Sequence, residues 1–249
     1  MTGSRESGAP EEKPEVSVVL PVYRNRATLD ELHRRLSAAL AGASLSCELI
    51  FVDDACPEGS GAAIAELAAR DPRVRRISLS RNAGQQRAAW LGLSAARGAW
   101  TVVMDADLQD PPEAIPALLS AGTPGVDAVL AAWRGRYEGK GRLVTSRVFK
   151  TLREMLTKYP RDAGMFLALR RPLVEEILRN DAPHPFLPSL VGLSGRRLVT
   201  VPVERAARPD GGSAYSRAAR LLRAARELAF IFRRRVWRLR SARPRRPAC

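Results

Sequence analysis

Residues 100–113 read WTVVMDADLQDPPE: an apolar, β-branched run from Trp100 to Met104 passes into Asp105, Ala106 and Asp107, and then into a proline-marked turn. A short apolar run bounded by turn residues is the pattern of a buried strand, expected here over Trp100–Ala106. Asp110, followed by Pro111 and Glu113, is expected to cap the helix behind it. Outward from this stretch the pattern recurs at VSVVLPV (Val16–Val22), CELIFV (Cys47–Val52), VRRISLS (Val74–Ser80) and DAVLAAW (Asp127–Trp133). Helical patterns lie between these runs. Thr28 and Glu31 predict a capping box ahead of Leu29, Leu32, Leu36 and Leu40, with Gly42 as the stop. Ile64, Leu67 and Ala68 mark a second helix that Pro72 ends, and Gln85–Arg97 reads as a third, closed by Gly98. Alternating helices and near-continuous apolar strands predict an α/β fold, a mostly parallel sheet with helices on both faces. Ligands of such folds bind at the carboxyl ends of the strands.

Beyond Trp133 a basic segment, WRGRYEGKGR, leads to a helix carrying Val148, Phe149, Leu152 and Leu156, and then to a strand at Met165–Leu169. A last strand, RLVTVPV (Arg197–Val203), precedes the turn RPDGGS and an Arg-rich helix expected from Tyr215 to Leu239. The expected organisation is therefore a polar leader over 1–15, one domain over 16–213, and a basic helix and tail over 214–249.

With 249 residues, 45% hydrophobic and 27% charged, the chain has the make-up of a packed domain, which excludes disordered, collagen-like and disulfide-scaffold classes. Its net charge of +15 is unevenly placed: twelve arginines and one acid, Glu227, fall in Ser216–Cys249. Cys47, Cys56 and Cys249 are scattered, with no C-x-x-C pair, which fits a reducing compartment and predicts a cytoplasmic location. The leader MTGSRESGAPEEKPE has neither a positive n-region nor an apolar h-region and does not read as a signal peptide. No run reaches the roughly 20 apolar residues that a membrane span needs, and LAFIF is cut off by Arg233, Arg234 and Arg235.

Two acid pairs stand at strand ends, Asp53-Asp54 after LIFV and Asp105-Ala106-Asp107 after TVVM. In an extended segment residues i and i+2 share a side, so Asp105 and Asp107 are expected to offer two hard oxygens to one Mg²⁺ or Mn²⁺ ion. The alternative is that these acids only cap the next turn, and spacing by itself does not decide between the two.

The order of these elements and the text of several segments resemble glycosyltransferase family 2, nucleotide-sugar enzymes of GT-A fold, over Val16–Ser216. SVVLPVY looks like the family's opening strand, FVDDA like its nucleotide-contacting acids, and SRNAGQQRAAWLGLSAARG like the segment before its metal-binding strand. MDADLQDPPE is the most specific piece. Together with RDAGMFLALRR and RPDGGSAYS it is similar to the branch that makes polyprenyl-phosphate sugars, the dolichol-phosphate mannosyltransferases and their bacterial relatives. Carried over, the resemblance implies metal at Asp105, Asp107 and Gln109, and a nucleotide-sugar donor near Pro21, Tyr23, Asp53, Asp54, Gln85 and Ala106. Ala55-Cys56 departs from the family's usual Gly-Ser.

The branch implies a polyprenyl-phosphate acceptor and an inverting transfer at the inner face of the cell membrane. A phosphate monoester is largely a dianion at neutral pH and needs no general base, which fits a chain whose histidines are His33, read as solvated, and His184. Such a site needs arginine, whose planar fork matches phosphate oxygens. The resemblance makes Arg134 and Arg208 catalytic candidates, and Arg136, Arg208, Ser213 and Tyr215 the acceptor-phosphate candidates. Ala214 stands where relatives usually carry lysine. Two other readings stay open: a soluble family member that acts on a hydroxyl, with Asp110 or Asp162 as base, and a non-catalytic membrane adaptor.

In the tail, Leu221, Ala225, Leu228, Phe232, Val236 and Leu239 share a helical face, and most of the arginines lie elsewhere. This pattern predicts a helix lying on an anionic membrane surface, or else one packed on protein. No stacking or base-reading motif accompanies the arginines, so nucleic acid is not the expected partner. The sequence leaves self-association open.

Overall fold

The computed structural model describes residues 13–134, 143–179, 186–206, 222 and 224–234. Seven strands, β1 (Val16–Val22), β2 (Cys47–Asp53), β3 (Val74–Ser78), β4 (Trp100–Val103), β5 (Ala128–Arg134), β6 (Ala163–Arg170) and β7 (Leu198–Glu204), form one sheet in the order β3-β2-β1-β4-β6-β5-β7. The pairs β1–β2, β1–β4, β2–β3 and β5–β7 are parallel, while β6 runs antiparallel between β4 and β5. The sheet is thus mostly parallel, as expected.

The helices are α1 (Leu29–Gly42), α2 (Ser60–Arg70), α3 (Gln85–Ala95), α4 (Ile115–Ser120), α5 (Leu143–Thr157), α6 (Arg171–Leu178) and α7 (Leu187–Leu193). Alternation along β1 shows why its sequence is apolar but for Ser17, whose hydroxyl donates to Glu48. Val16, Val18, Leu20 and Val22 enter one core with the leucines of α1, Ile64 of α2 and Leu118 of α4. Val19 enters the other, with Ala88, Ala89 and Leu93 of α3, Val174 of α6 and Val191 of α7. A strand covered on both faces admits a polar side chain only where it finds a hydrogen-bond partner. Gly92 of α3 lets that helix lie against Val19, since a Cβ there would collide with the Val19 side chain.

Several local expectations are corrected. β4 ends at Val103 and β3 at Ser78, both earlier than their apolar text, and α3 ends at Ala95. Thr28 forms no capping box: its hydroxyl donates to the carbonyls of Asn25 (2.9 Å) and Ala106 (2.7 Å), and Glu31 pairs with Arg34. Asp110 caps nothing. Pro111 takes the cap position of a 3₁₀ turn at Pro112–Ala114 that leads into α4, and Asp110 is buried. His33 is not solvated either, because its Nε2 lies 2.8 Å from Asp71 at the amino end of β3, away from the carboxyl rim of the sheet.

Of the helix expected over Tyr215–Leu239, residues 222 and 224–234 are described, and all are helical. Its buried face carries Glu227 and Ile231; Glu227 accepts a hydrogen bond from Ser189 Oγ at 2.5 Å, and Phe230 packs on Phe186 with ring centroids 5.7 Å apart. Leu228 is half-buried and Ala225 exposed, and Leu222 and Phe232 are 53% and 66% exposed. The helix is therefore rotated from the expected apolar stripe so that its acid reaches α7. Leu221, Val236 and Leu239 lie outside the described residues. No described helix is long and apolar enough to cross a membrane.

Candidate active site

Parallel pairing brings the ends of β1, β2 and β4 to one rim: Val22 stands opposite Asp53, Asp54 N donates to Val22 O, and Met104 N donates to Val19 O. The loops leaving these strands each contain a non-glycine residue in the left-handed region, Arg24 (φ 60°), Ala55 (φ 52°) and Leu108 (φ 59°). Such backbone is uncommon outside glycine and persists where surrounding contacts fix it. Here those contacts are visible.

Asp53 Oδ1 accepts from Cys56 N at 3.0 Å, which turns the chain into α2. Asp54 spends both oxygens on backbone, accepting from Ala83 N at 2.6 Å and Gly84 N at 2.8 Å. Burial raises the Asp54 carboxyl above its ordinary range and Asp53 adds to this, against the two amide hydrogen bonds. Asp54 thereby fixes the loop in front of α3, and Gln85, the first residue of α3, donates its amide to Asp105 Oδ1. An acid read as a nucleotide contact thus also positions a neighbour of the metal candidates.

Because β4 stops at Val103, Asp105 and Asp107 sit in a bend closed by Leu108, and strand alternation is not what orients them. Asp107 Oδ1 accepts from Gln109 N at 3.1 Å, and Ala106, buried, is held by Thr28 through its carbonyl. Asp110 lies beneath the bend, 1% exposed. Its carboxyl is pushed up to about 7, by burial first and then by the charges of Asp105 and Asp107, with Arg205 opposing.

Arg205 is the residue that sequence reasoning missed. Leaving β7, its Nη2 stands 3.9 Å from Asp105 Oδ2 and its Nε 3.5 Å from Asp110 Oδ1. Its guanidinium carbon lies over the Trp133 ring, 4.2 Å from the centroid. Trp133 in turn lies over Gly164, where a Cβ would collide with the ring. Ala206 N donates to Gln109 O at 2.9 Å, so the segment after β7 is tied to the acidic bend by backbone as well. The available signal was a strand-end tryptophan beside Arg134 and a strand-end arginine shortly before Arg208.

Other expected residues are distributed unevenly. Pro21 is buried inside β1, while Tyr23 is 37% exposed with Arg24 over its ring. Arg134 ends β5 opposite Glu204. Arg136, Arg208, Ser213 and Tyr215 lie outside the described residues. Asp162 is exposed and contributes its carbonyl to Trp133 N. Among the described residues no three His, Cys, Asp or Glu side chains would by themselves hold a metal ion. The acidic bend nevertheless fits a hard divalent cation of the kind that keeps open positions for ligand oxygens. It offers the carboxylate oxygens of Asp105 and Asp107 and the side-chain amide oxygen of Gln109, with Asp110 buried beneath them.

The family described as Glycosyl transferase family 2 matches residues 17–178. The undecaprenyl-phosphate 4-deoxy-4-formamido-L-arabinose transferase of Salmonella paratyphi A is 35% identical over 204 residues, 81% of this chain and 62% of that protein. This chain therefore spans less than two thirds of that relative's length. Mannosyl-3-phosphoglycerate synthase from Rubrobacter xylanophilus superimposes with a TM-score of 0.61 at 20% identity, covering 95% of this chain and 78% of that one. A mannosyltransferase from Pyrobaculum calidifontis in complex with GDP-Man and Mn²⁺ gives 0.59 at 19% identity, covering 86% and 61%. Glucosyl-3-phosphoglycerate synthase from Mycobacterium tuberculosis, in complex with Mn²⁺, UDP and glucosyl-3-phosphoglycerate, gives 0.57 at 24% identity over 88% and 78%. The fold is that of these GT-A transferases, and on the match over 17–178 the chain belongs to glycosyl transferase family 2.

Proposed function

We propose that the chain transfers a hexose from a UDP- or GDP-sugar to a polyprenyl phosphate at a membrane face, with Mg²⁺ or Mn²⁺ held by Asp105, Asp107 and Gln109. The observation that carries this reading is the acidic bend at the carboxyl rim, with Gln85 on one side of Asp105 and Arg205 on the other. The relative named for undecaprenyl-phosphate sugar transfer supports the acceptor class, and the fold neighbours bound to GDP-Man or UDP with Mn²⁺ support the donor class and the cation.

When bound, the cation supplies Lewis-acid neutralisation of the charge that gathers on a departing diphosphate. The chain's residues do the rest. Gln85 orients Asp105, the Gln109 amide orients Asp107, and Asp54 sets the loop that carries Gln85. Pro21, Tyr23, Asp53 and Ala106 shape the donor side. Arg134 and Arg208 align the acceptor phosphate, with Arg136, Ser213 and Tyr215 around it, against the repulsion of two anionic reactants. A phosphate oxygen attacks the anomeric carbon as the bond from that carbon to the diphosphate breaks, with inversion. No proton needs to be removed, because the acceptor is largely dianionic above its second pKa of about 6. Of the two candidate bases for a hydroxyl acceptor, Asp110 is 1% exposed and closed off from an incoming hydroxyl, and Asp162 is exposed.

The tail helix suits the membrane role. One face docks through Glu227 and Ile231, leaving Leu222, Phe232, Arg226 and Arg233 outward, an apolar and cationic mixture suited to anionic headgroups.

The test is transfer from radiolabelled UDP- and GDP-sugars, a UDP-pentose included, to polyprenyl phosphate and separately to water-soluble hydroxyl acceptors, with Mn²⁺ or EDTA. Cation-dependent label in the organic phase is expected. Label confined to water-soluble product would replace this reading with the hydroxyl-acceptor enzyme.

A further inference from the structure

Arg205 is close to two carboxylates yet hydrogen-bonded to neither. Its contacts of 3.9 Å to Asp105 and 3.5 Å to Asp110 are ion pairs beyond good hydrogen-bond length. Among the described residues the buried Nε–H of Arg205 has no hydrogen-bond partner, and the Asp110 carboxylate has none beyond the backbone amide of Asp105. Buried donors and acceptors left unmade cost free energy, so they mark an arrangement that another ligand completes. Trp133 supports the guanidinium through its ring, and the side chain stays one-fifth exposed. Arg205 is thus a cation with neutralising contacts, an uncommitted Nε–H and partial access to solvent.

We propose that Arg205 exchanges partners when the donor arrives: in the empty site it is the counter-cation of Asp105 and Asp110, and with nucleotide present its guanidinium turns to the diphosphate while a divalent cation takes Asp105 together with Asp107. The inference rests on the donor and cation reading above and adds a coupling between them. A divalent cation arriving alone meets the repulsion of Arg205 and must displace it without giving it a new partner. Arriving with a nucleoside diphosphate, it displaces Arg205 onto phosphate oxygens, which a guanidinium binds in pairs. Cation and nucleotide then favour each other by equal factors, as linkage requires. Such a device keeps the acidic bend from filling with cation when no donor is present, and it places a positive charge beside the leaving group. The backbone bond from Ala206 to Gln109 keeps Arg205 within reach of both partners through the exchange.

The experiment is a Mn²⁺ titration followed by electron paramagnetic resonance, on wild type, Arg205→Met and Arg205→Lys, each with and without UDP or GDP. Methionine keeps an apolar stem against Trp133 and removes the charge; lysine keeps the charge. In wild type the nucleotide should tighten Mn²⁺ on the order of tenfold or more, within the usual span of coupling. Arg205→Met should bind Mn²⁺ alone several-fold more tightly than wild type and show a smaller nucleotide effect, while Arg205→Lys should stay near wild type. A merely structural role gives the opposite sign, since a disordered bend binds Mn²⁺ more weakly. Equal or weaker binding of Mn²⁺ alone by Arg205→Met overturns the inference while leaving the donor reading intact, as does a lysine variant that gains affinity for Mn²⁺ alone. If wild type binds Mn²⁺ with neither nucleotide, the donor reading fails and the exchange fails with it.

Discussion

The half of the sheet built from β1 to β4 and the half built from β5 to β7 meet at the bend 105–110, and they hold it by different means. On the first side the ties are short and mostly backbone: Asp54 takes the amides of Ala83 and Gly84, Asp53 takes that of Cys56, and Thr28 holds Ala106. Beneath them, at the amino ends of the strands, Glu48 gathers Ser17 Oγ (2.6 Å), Arg75 (2.5 Å) and the amide of Arg97 (2.7 Å). On the second side one backbone bond, from Ala206 to Gln109, is joined by a chain of side-chain support through Gly164, Trp133 and Arg205, whose last link is an ion pair without hydrogen bonds. On the proposed function, the first side only receives the nucleotide and can be fixed in advance, whereas the second carries an arginine that exchanges partners and rests on ring packing and ion pairs.

That contrast can be broken in graded ways. The largest effect is expected from Asp107→Asn, which removes a proposed cation ligand: turnover should fall at least about a hundredfold, the scale of losing a key electrostatic group. The melting temperature should stay near wild type, because asparagine keeps an oxygen that can accept from the Gln109 amide as Asp107 does. Near-normal turnover would remove the cation assignment. Next come two glycines, one per half. Gly164→Ala and Gly92→Ala drive a Cβ into half-buried Trp133 and buried Val19 respectively, and should each cost about 1–3 kcal/mol by overpacking. Only Gly164→Ala should also change Mn²⁺ affinity, through Trp133 and Arg205. Equal Mn²⁺ behaviour in the two variants would erase the distinction between the halves.

Glu48→Gln should follow, lowering unfolding free energy by about 1–3 kcal/mol as charged hydrogen bonds are lost. The pH dependence carries a definite sign. Burial alone would raise the Glu48 carboxyl, but Ser17, Arg75 and Arg97 outweigh it and leave it below its ordinary value. A carboxyl lowered in the folded state contributes stability above its unfolded pKa, about 4.3, and that contribution is lost as pH falls through the folded value. Asp71, lowered chiefly by Arg73, acts in the same direction. Melting temperatures measured from pH 5 to 3 should therefore fall less steeply in Glu48→Gln than in wild type. The smallest effect is expected from Glu227→Gln, about 1 kcal/mol, since it changes a single hydrogen bond under the tail helix. A loss as large as that of Glu48→Gln would make the tail an integral part of the core.

Legibility followed the same division. Val16–Val22, Cys47–Asp53 and the helices between them announced themselves because local periodicity and two-sided burial agree there. MDADLQDPPE located the acidic bend. Its shape was not legible: β4 ends early because Thr28 and Gln109 hold the loop from outside the strand, and Leu108 is turned to positive φ. Asp110 reads locally as a cap, yet it is buried under the bend beside an arginine from the far end of the chain. The antiparallel direction of β6 and the rotation of the tail helix about Glu227 are likewise set by distant partners, β4 with β5 and Ser189 of α7. What local pattern encodes was readable; what non-local pairing decides was not.

The central claim is that the bend at Asp105–Asp110 is where cation, donor diphosphate and the second half of the sheet meet. The most direct measurement is anomalous diffraction from crystals grown with Mn²⁺ and UDP or GDP. The expected result is a Mn²⁺ peak bounded by Asp105, Asp107 and the diphosphate, with the Arg205 guanidinium on a phosphate oxygen. A peak away from these carboxylates, or nucleotide bound at another edge of the sheet, would contradict it.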